Sequence, residues 1–190
     1  MGTREVDVSV GLSTKKLMVQ RFLFLSILFA ALSVACNDDT TSSESPCGPN
    51  YHAPVMPKRN GDRVSIKQGV WGDVWFWQGD FMPICETGTV RAVGREVRIH
   101  APTTSQDVVR SAAATFYSKV NTPLIATVWS DSDGFFQAAL PAGTYSVFVV
   151  EQDSLLYANR FDSQGRIYPI EVRPDSLTGT RFDITYQMSE

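Results

Sequence analysis

Apolar and polar side chains alternate along most of the second half of the chain, which is the pattern of strands that bury one face. The alternation is clearest over residues 96–101, 145–150 and 181–186. Segments rich in Asp, Ser, Pro and Gly separate such runs and predict turns, at 130–134, 141–143, 162–165 and 174–176. The pattern predicts an all-β fold, an antiparallel β-sandwich of about seven strands. Helical character is expected only in one insertion, residues 105–114.

The N-terminal part of the chain has a different pattern, in which an apolar run, 22–35, follows basic residues and ends directly before Cys36. This run is shorter than a comfortable membrane span. With small residues before the cysteine, it predicts a signal peptide over residues 1–35. Translation starts at Met1 or at Met18, since both retain the apolar run.

The end of this run, Leu32-Ser33-Val34-Ala35-Cys36, resembles the lipobox of bacterial lipoproteins. The resemblance implies that the thiol of Cys36 is acylated and becomes the new N-terminus, which would anchor the protein to the membrane. The alternative is an ordinary secretory peptide that leaves a free thiol. Asn37-Asp38-Asp39 resembles the acidic export tag of surface lipoproteins of Bacteroidetes, which favours an outer-membrane lipoprotein exposed at the cell surface.

Composition divides the rest of the chain into two parts. Residues 36–63, rich in Ser, Thr, Asp, Asn and Pro, predict a flexible tether, and residues 64–190 are long enough for one folded domain. Residues 1–35 hold four of the 17 basic and two of the 20 acidic residues, so the remainder carries 13 basic and 18 acidic residues, a net charge of −5. This charge argues against a nucleic acid partner, and it leaves the lipid anchor as the expected membrane contact.

Two cysteines remain after Cys36, and both lie in sequence typical of loops. Because disulfides persist in exported proteins, we expect a bridge between Cys47 and Cys85. A metal site is the competing interpretation. It is disfavoured because His52 and His100 are the only histidines and neither is closely spaced with a cysteine.

Residues 127–149 resemble the carboxypeptidase regulatory-like domain, in which a strand, an Asp-containing turn with Gly and an aromatic strand precede Leu-Pro-x-Gly-x-Tyr. Here these elements are Asp131-Ser132-Asp133-Gly134, Phe135-Phe136 and Leu140-Pro141-Ala142-Gly143-Thr144-Tyr145. The resemblance implies a transthyretin-like β-sandwich over most of residues 69–188. Gly134 and Gly143 are expected at positive φ. Phe136, Leu140, Tyr145 and Val147 are expected between the sheets. Such a fold says little about activity.

Tryptophans are concentrated in residues 70–81, where Trp71, Trp75 and Trp77 alternate with smaller apolar residues. In a strand they face one side, opposite to Val74 and Phe76. We favour burial of the tryptophans beneath the insertion 103–123. The alternative is an exposed aromatic strip with Gln78 as a polar partner, a surface suited to a sugar ring or a partner protein.

Motifs for catalysis and for cofactors are absent from the sequence. His100 alternates with apolar residues and is expected on the solvent side of a strand. Asp131 and Asp133 are expected in a hairpin turn rather than at calcium. The sequence therefore predicts a non-enzymatic, lipid-anchored envelope protein without cofactor or metal, acting as a binding module for a glycan or an envelope protein. A purely structural accessory subunit is the alternative, and a hydrolase is less favoured.

Overall fold

The structure is a computed structural model, and it describes residues 46–111, 113, 115–151 and 154–189. The predicted signal peptide and Cys36 lie outside these residues. A short 3-10 turn, Gly61–Arg63, precedes the strands. Within the described residues the chain forms eleven strands: β1 (Gly69–Asp80), β2 (Thr89–Ala92), β3 (Glu96–His100), β4 (Val108–Arg110), β5 (Phe116–Val120), β6 (Leu124–Trp129), β7 (Phe135–Ala139), β8 (Gly143–Val150), β9 (Leu156–Tyr157), β10 (Pro169–Val172) and β11 (Leu177–Ser189).

The strands form two sheets. In the first sheet, β1 pairs in parallel with β11 along one edge, and along the other edge it pairs with β7 and then with β2. The second sheet has the order β4-β5-β9-β8-β3-β6, with β10 also paired to β8. All pairs except β1 with β11 are antiparallel. The predicted all-β sandwich is therefore confirmed.

The core lies between the sheets and uses the alternating positions that the sequence indicates. The strands β1 and β11 contribute residues such as Val74 and Phe182, and β3 and β8 contribute Ile99 and Val147, all fully buried. The residues that the resemblance places between the sheets are also in this core, namely Phe136, Leu140, Tyr145 and Val147. Burial of this apolar surface is the main contribution to the stability of the fold.

The insertion near residues 103–123 differs from expectation. Residues 105–114 form turns and β4 in their described part rather than a helix, and β5 pairs with β9, which extends the second sheet. The loop before β4 crosses the outer face of that sheet, where the backbone N–H of Thr103 donates to Ser146 Oγ at 3.0 Å. His100 lies on the same face, against Thr122 and Phe148, and is only 5% exposed, so the prediction of a solvent-facing histidine is wrong.

The two turn glycines behave differently. Gly134 has a φ of +78°, and a Cβ there would lie 2.6 Å from the carbonyl oxygen of Val74. Asp131 Oδ1 closes the same turn by accepting hydrogen bonds from the backbone N–H groups of Asp133 and Phe135, at 2.9 and 3.1 Å. Gly143 is not at positive φ, so that expectation is wrong: as the first residue of β8, it has ordinary extended backbone.

Cys47 and Cys85 form a disulfide. Cys85 lies in the loop between β1 and β2, so the bond holds this loop to the segment before the domain. No helix in the described part of the chain is long and apolar enough to cross a membrane.

Candidate functional site

The outer face of the first sheet carries the tryptophans of β1. Trp71, Asp73, Trp75 and Trp77 alternate with buried core residues, as strand geometry requires. The partner residues in the parallel register of β11 are Gly179 beside Trp71, Arg181 beside Asp73 and Asp183 beside Trp75. The structure gives each of the three tryptophans a different environment.

A segment that begins in the predicted tether, 36–63, and ends in the predicted domain lies across this face. We call residues 59–65 the N-terminal strap. Arg59 and Asn60 donate hydrogen bonds to Asp73 in β1. Arg63 donates to Asp131 in the turn before β7. The backbone N–H of Ser65 donates to the side chain of Gln137 in β7. These contacts attach the strap to the sheet along its length.

Asp73 is the central anchor of the strap. Its side chain is fully buried, with Arg59 Nε 2.5 Å from Oδ2 and Asn60 Nδ2 2.7 Å from Oδ1. Arg59 also donates to the carbonyl oxygen of Thr180 at 2.8 Å, and Asn60 to that of Asp133 at 3.0 Å. A buried carboxylate is tolerated because ionic and hydrogen-bonding partners replace its water.

Trp71 is partly buried beneath the strap. The guanidinium carbon of Arg59 lies 5.3 Å from the centre of the indole ring, a cation–π arrangement. Gly61 in the strap and Gly179 in β11 both approach the ring so closely that a Cβ at either position would lie 2.8 Å from an indole carbon. The absence of a side chain at these two glycines therefore makes room for Trp71.

Trp75 is buried, with 3% of its surface exposed. The guanidinium of Arg181 in β11 lies 5.0 Å from the centre of its ring. The indole nitrogen has no hydrogen-bond partner among the described residues. Trp75 therefore acts as a packing residue of the outer face, and it is not available as a ligand platform.

The expectation that the insertion 103–123 covers the tryptophans is wrong. That insertion belongs to the other sheet, where Phe116 contacts Tyr157 and Tyr186 in the core and Tyr117 contacts Phe148. The strap and β11 provide the cover instead. The cause is the parallel pairing of β1 with the last strand of the chain, which brings Arg181 beside the tryptophans.

Trp77 is different from the other two because it lines a groove. The Trp77 groove has a volume of about 570 Å3 and is lined by Met56, Trp77, Phe81, Pro83, Glu86, Asp183, Thr185 and Met188. The rings of Trp77 and Phe81 lie 5.0 Å apart, tilted by 55°. The groove therefore combines an aromatic wall with polar side chains from β11 and from the β1–β2 loop.

Hydrogen bonds fix the indole of Trp77. Its Nε1–H donates to Asp183 Oδ1 at 2.8 Å, and Arg181 Nε donates to Asp183 Oδ2 at 2.8 Å. Thr185 is held by Asn159, whose Nδ2 donates to Thr185 Oγ1 at 3.0 Å. The ring and the polar groups beside it are thus positioned before any ligand arrives.

Glu86 supplies the second carboxylate of the groove, from the loop that the disulfide holds. It directly follows Cys85, and its side chain is partly exposed. The apolar parts of the lining include Met56, Pro83 and Met188. Such a mixture of aromatic, apolar and few polar groups is typical of small-molecule sites.

Gln78 does not join this groove. It is exposed and lines a separate cleft of about 370 Å3, together with Arg91 and Glu151. The structure therefore separates the four candidate residues: it covers Trp71, buries Trp75, places Trp77 in a groove and leaves Gln78 in another cleft.

The sequence pattern gave no signal for several groove residues. Asp183 and Thr185 come from β11, more than 100 residues after Trp77, and Met56 comes from the predicted tether. Phe81 and Glu86, by contrast, are near Trp77 in sequence, and the first of them is within the aromatic run itself. A prediction of the β1–β11 pairing would have been needed to find Asp183 and Thr185.

His100 does not take part in the groove. It lies in the second sheet, where Nδ1 is 3.0 Å from the carbonyl oxygen of Thr122 and the ring packs edge-on against Phe148. Burial, with a smaller contribution from the charge of Arg98, lowers the pKa of His100 below its ordinary value of 6.5, although the hydrogen bond to Thr122 opposes the shift. The imidazole is therefore mainly neutral near pH 7.

The carboxylates of the Asp131 turn are already paired with an arginine side chain. Arg63 of the strap contacts Asp131 at 2.5 Å and Asp133 at 3.5 Å. Among the residues that the structure describes, no group of three or more His, Cys, Asp or Glu side chains is placed to hold a metal ion.

Comparison of the chain with family models, with curated proteins and with solved structures finds no match.

Proposed function

We propose that the protein is a non-catalytic binding module, held at the cell envelope by a lipid on Cys36, and that the Trp77 groove takes a sugar ring of an envelope glycan. The observation that carries the proposal is the position of Trp77. It is the tryptophan of β1 that lines an open groove, beside Phe81 and two carboxylates.

The chemistry of the groove favours a neutral sugar. Aromatic rings offer a flat apolar surface to the C–H groups of a sugar, and carboxylates accept hydrogen bonds from its hydroxyl groups. Asp183 and Glu86 provide such acceptors, and Thr185 adds a hydroxyl. Because the groove and the chain after residue 35 both carry negative charge, an anionic sugar would be repelled.

The polar contacts also support binding rather than catalysis. Asp183 accepts hydrogen bonds from both Trp77 and Arg181, so its carboxylate is held in place as an acceptor beside the aromatic wall. His100 is buried in the other sheet. A structural accessory role remains the alternative if the groove binds no glycan.

We also propose that the sandwich is a carboxypeptidase regulatory-like domain. The support is the closed Asp131 turn with Gly134 at positive φ, followed by core positions for Leu140 and Tyr145.

Retention on an array of neutral and acidic oligosaccharides tests the binding proposal. We expect the full chain to be retained by neutral glycans, and we expect Trp77→Ala to reduce retention at least about tenfold, since aromatic anchors dominate such sites. Trp129→Ala is the matched control, because Trp129 is 69% exposed and lies outside the groove. Equal retention of both variants, with unchanged folding, would contradict the proposal.

Membrane fractionation tests the anchor. Cys36→Ala is expected to move the protein from the membrane fraction to the soluble fraction, because a single thiol would carry the acyl chains. Unchanged fractionation of this variant would exclude the lipid anchor while leaving the groove proposal intact.

A further inference from the structure

At one end of the sandwich, positions that continue the core face of the first sheet carry polar side chains. Phe76 in β1 belongs to the core, and Arg91 in β2 is its direct partner, so both side chains lie on the same face of the sheet. Gln78 follows Phe76 by two residues and shares this face, and its register partner in β11 is Gln187. Arg91, Gln78 and Gln187 are all exposed. A local break in the apolar pattern of a core face is a common feature of functional sites.

These polar side chains line a cleft of about 370 Å3, which we call the Arg91 cleft. The second sheet contributes Val150, the last residue of β8, and Glu151, which follows it. Tyr186 of β11 also lines the cleft, and its ring packs edge-on against Phe76 at 5.5 Å. The Arg91 cleft therefore lies between the two sheets and has apolar walls beside its polar groups.

A hydrogen-bond network links the two sheets beside the cleft. The side chain of Glu151 is 2% exposed, and it accepts hydrogen bonds from Arg95 Nε and, at 2.9 Å, from the hydroxyl of Tyr186. Tyr186 belongs to the first sheet, whereas Glu151 and Arg95 flank strands of the second. The carboxylate that lines the cleft is thus already bound by donors of the protein itself.

Arg91 differs from Arg95, the other arginine of the cleft, because it has no ionic partner. Among the residues that the structure describes, no Asp or Glu pairs with Arg91, and its guanidinium carbon lies 4.9 Å from the centre of the Phe76 ring. A cation–π contact of this kind orients the guanidinium and leaves its in-plane N–H donors available. Two arginines and Glu151 give the lining a formal net charge of +1, although the chain after residue 35 carries −5.

We propose that the Arg91 cleft binds a small monocarboxylate with an apolar body. The guanidinium of Arg91 forms paired hydrogen bonds with the carboxylate, and the side-chain amides of Gln78 and Gln187 donate further ones. The apolar body lies against the ring of Tyr186. A dianion is disfavoured, because Glu151 in the same cleft repels the second charge. The cleft shares no lining residue with the Trp77 groove, so this site does not depend on glycan binding.

Isothermal titration calorimetry of the full chain in nonionic detergent, at constant ionic strength, tests the ligand class. Benzoate should bind saturably at one site. It should bind at least about tenfold more tightly than benzamide, which has the same ring without the charge. Acetate should also bind more weakly than benzoate, because it lacks the apolar body. Equal affinities for benzoate and benzamide, or tighter binding of inorganic phosphate than of benzoate, would exclude a monocarboxylate site.

Substitution of Arg91 tests the position of the site. Arg91→Gln should lower the affinity for benzoate at least about tenfold, and Arg91→Lys should lower it less, because lysine keeps the charge but loses the paired hydrogen bonds. Arg110→Gln is the matched control, since Arg110 is also exposed, at the end of β4. Thermal unfolding checks that the variants fold. An unchanged affinity of both Arg91 variants, an equal loss in Arg110→Gln, or no saturable binding of benzoate to the wild type would overturn the proposal.

Discussion

Arg59 and Asp73 form an ion pair in which Nε lies 2.5 Å from Oδ2 and the carboxylate is fully buried, whereas the arginine side chain is 43% exposed. The pair joins a segment of tether-like composition to the outer face of the first sheet. The same arginine lies over Trp71, so the ion pair also holds the cover of this tryptophan in place.

Because Asp73 is buried and Arg59 is partly exposed, loss of either partner should lower the free energy of unfolding by a different amount. Arg59→Met leaves a buried carboxylate with only Asn60 as partner, and we expect a loss of about 2–4 kcal/mol in the free energy of unfolding. Asp73→Asn leaves an arginine that can turn to solvent, so its cost should be smaller, about 1–2 kcal/mol. Chemical denaturation measures both.

Lys58→Met is the control for that comparison. Lys58 pairs with Asp62, but both side chains are mostly exposed, so the loss should be much smaller than that of Arg59→Met. Equal effects of Lys58→Met and Arg59→Met would show that the strap does not stabilise the sheet.

Substitution of Gly134 and of Gly143, two glycines of the same motif, should change the stability of the domain by different amounts. Gly134→Ala should destabilise the domain by about 1–3 kcal/mol, because φ is positive and a Cβ would collide with the backbone of Val74. Gly143→Ala should change stability by less than about 1 kcal/mol, since its Cβ would lie 3.4 Å from the Tyr145 side chain without backbone strain. Comparison of thermal midpoints checks the assignment, and a larger shift for Gly143→Ala would contradict it.

His100 predicts a pH dependence of stability. Its pKa is lower in the folded than in the unfolded state, so the unfolded chain binds the proton first as the pH falls. The free energy of unfolding should be independent of this group above pH 6.5, its ordinary value, and should decrease below it by at most about 1.4 kcal/mol per pH unit.

Denaturation of His100→Gln between about pH 5 and 7 checks this pH effect, because carboxylates titrate mainly below that range. The variant should show a flatter profile than the wild type. An identical slope in the two proteins would mean that His100 is not shielded from solvent.

The burial of Trp75 predicts its role in stability. Trp75→Ala should cost about 3–5 kcal/mol in the free energy of unfolding, as other large-to-small substitutions in packed regions do. Trp129→Ala should cost less than about 0.5 kcal/mol, because its side chain is exposed. A Trp75→Ala protein of unchanged stability that has lost glycan retention would restore the exposed-strip hypothesis.

The sequence predicts the local features of the fold well. Alternation in 181–186 gives the inward positions of Phe182 and Ile184, and the Asp131 turn is recognisable from its own residues. These features depend on neighbours along the chain. The burial of His100 and the parallel β1–β11 pairing depend on segments that are distant in sequence. The alternation of apolar and polar residues does not indicate such contacts.

The candidate site could likewise be predicted from the sequence only in its local features. The tryptophans of β1 and their shared face are evident from the sequence, but their cover is not. Arg59, Asn60 and Gly61 lie in a polar, proline-containing segment whose composition is typical of a linker, and composition carries no information about Asp73 as its partner. The groove likewise combines Trp77 with Asp183, whose proximity follows only from the sheet topology.

NMR of the indole N–H groups tests whether Trp77 is the ligand-binding tryptophan. The chain has four tryptophans, so its side-chain spectrum contains four indole signals that single substitutions assign. On addition of the neutral oligosaccharide best retained in the array, we predict a large shift for Trp77 and little change for Trp71, Trp75 and Trp129. A shift confined to Trp129, or shifts in none of the four, would exclude Trp77 as the ligand-binding residue.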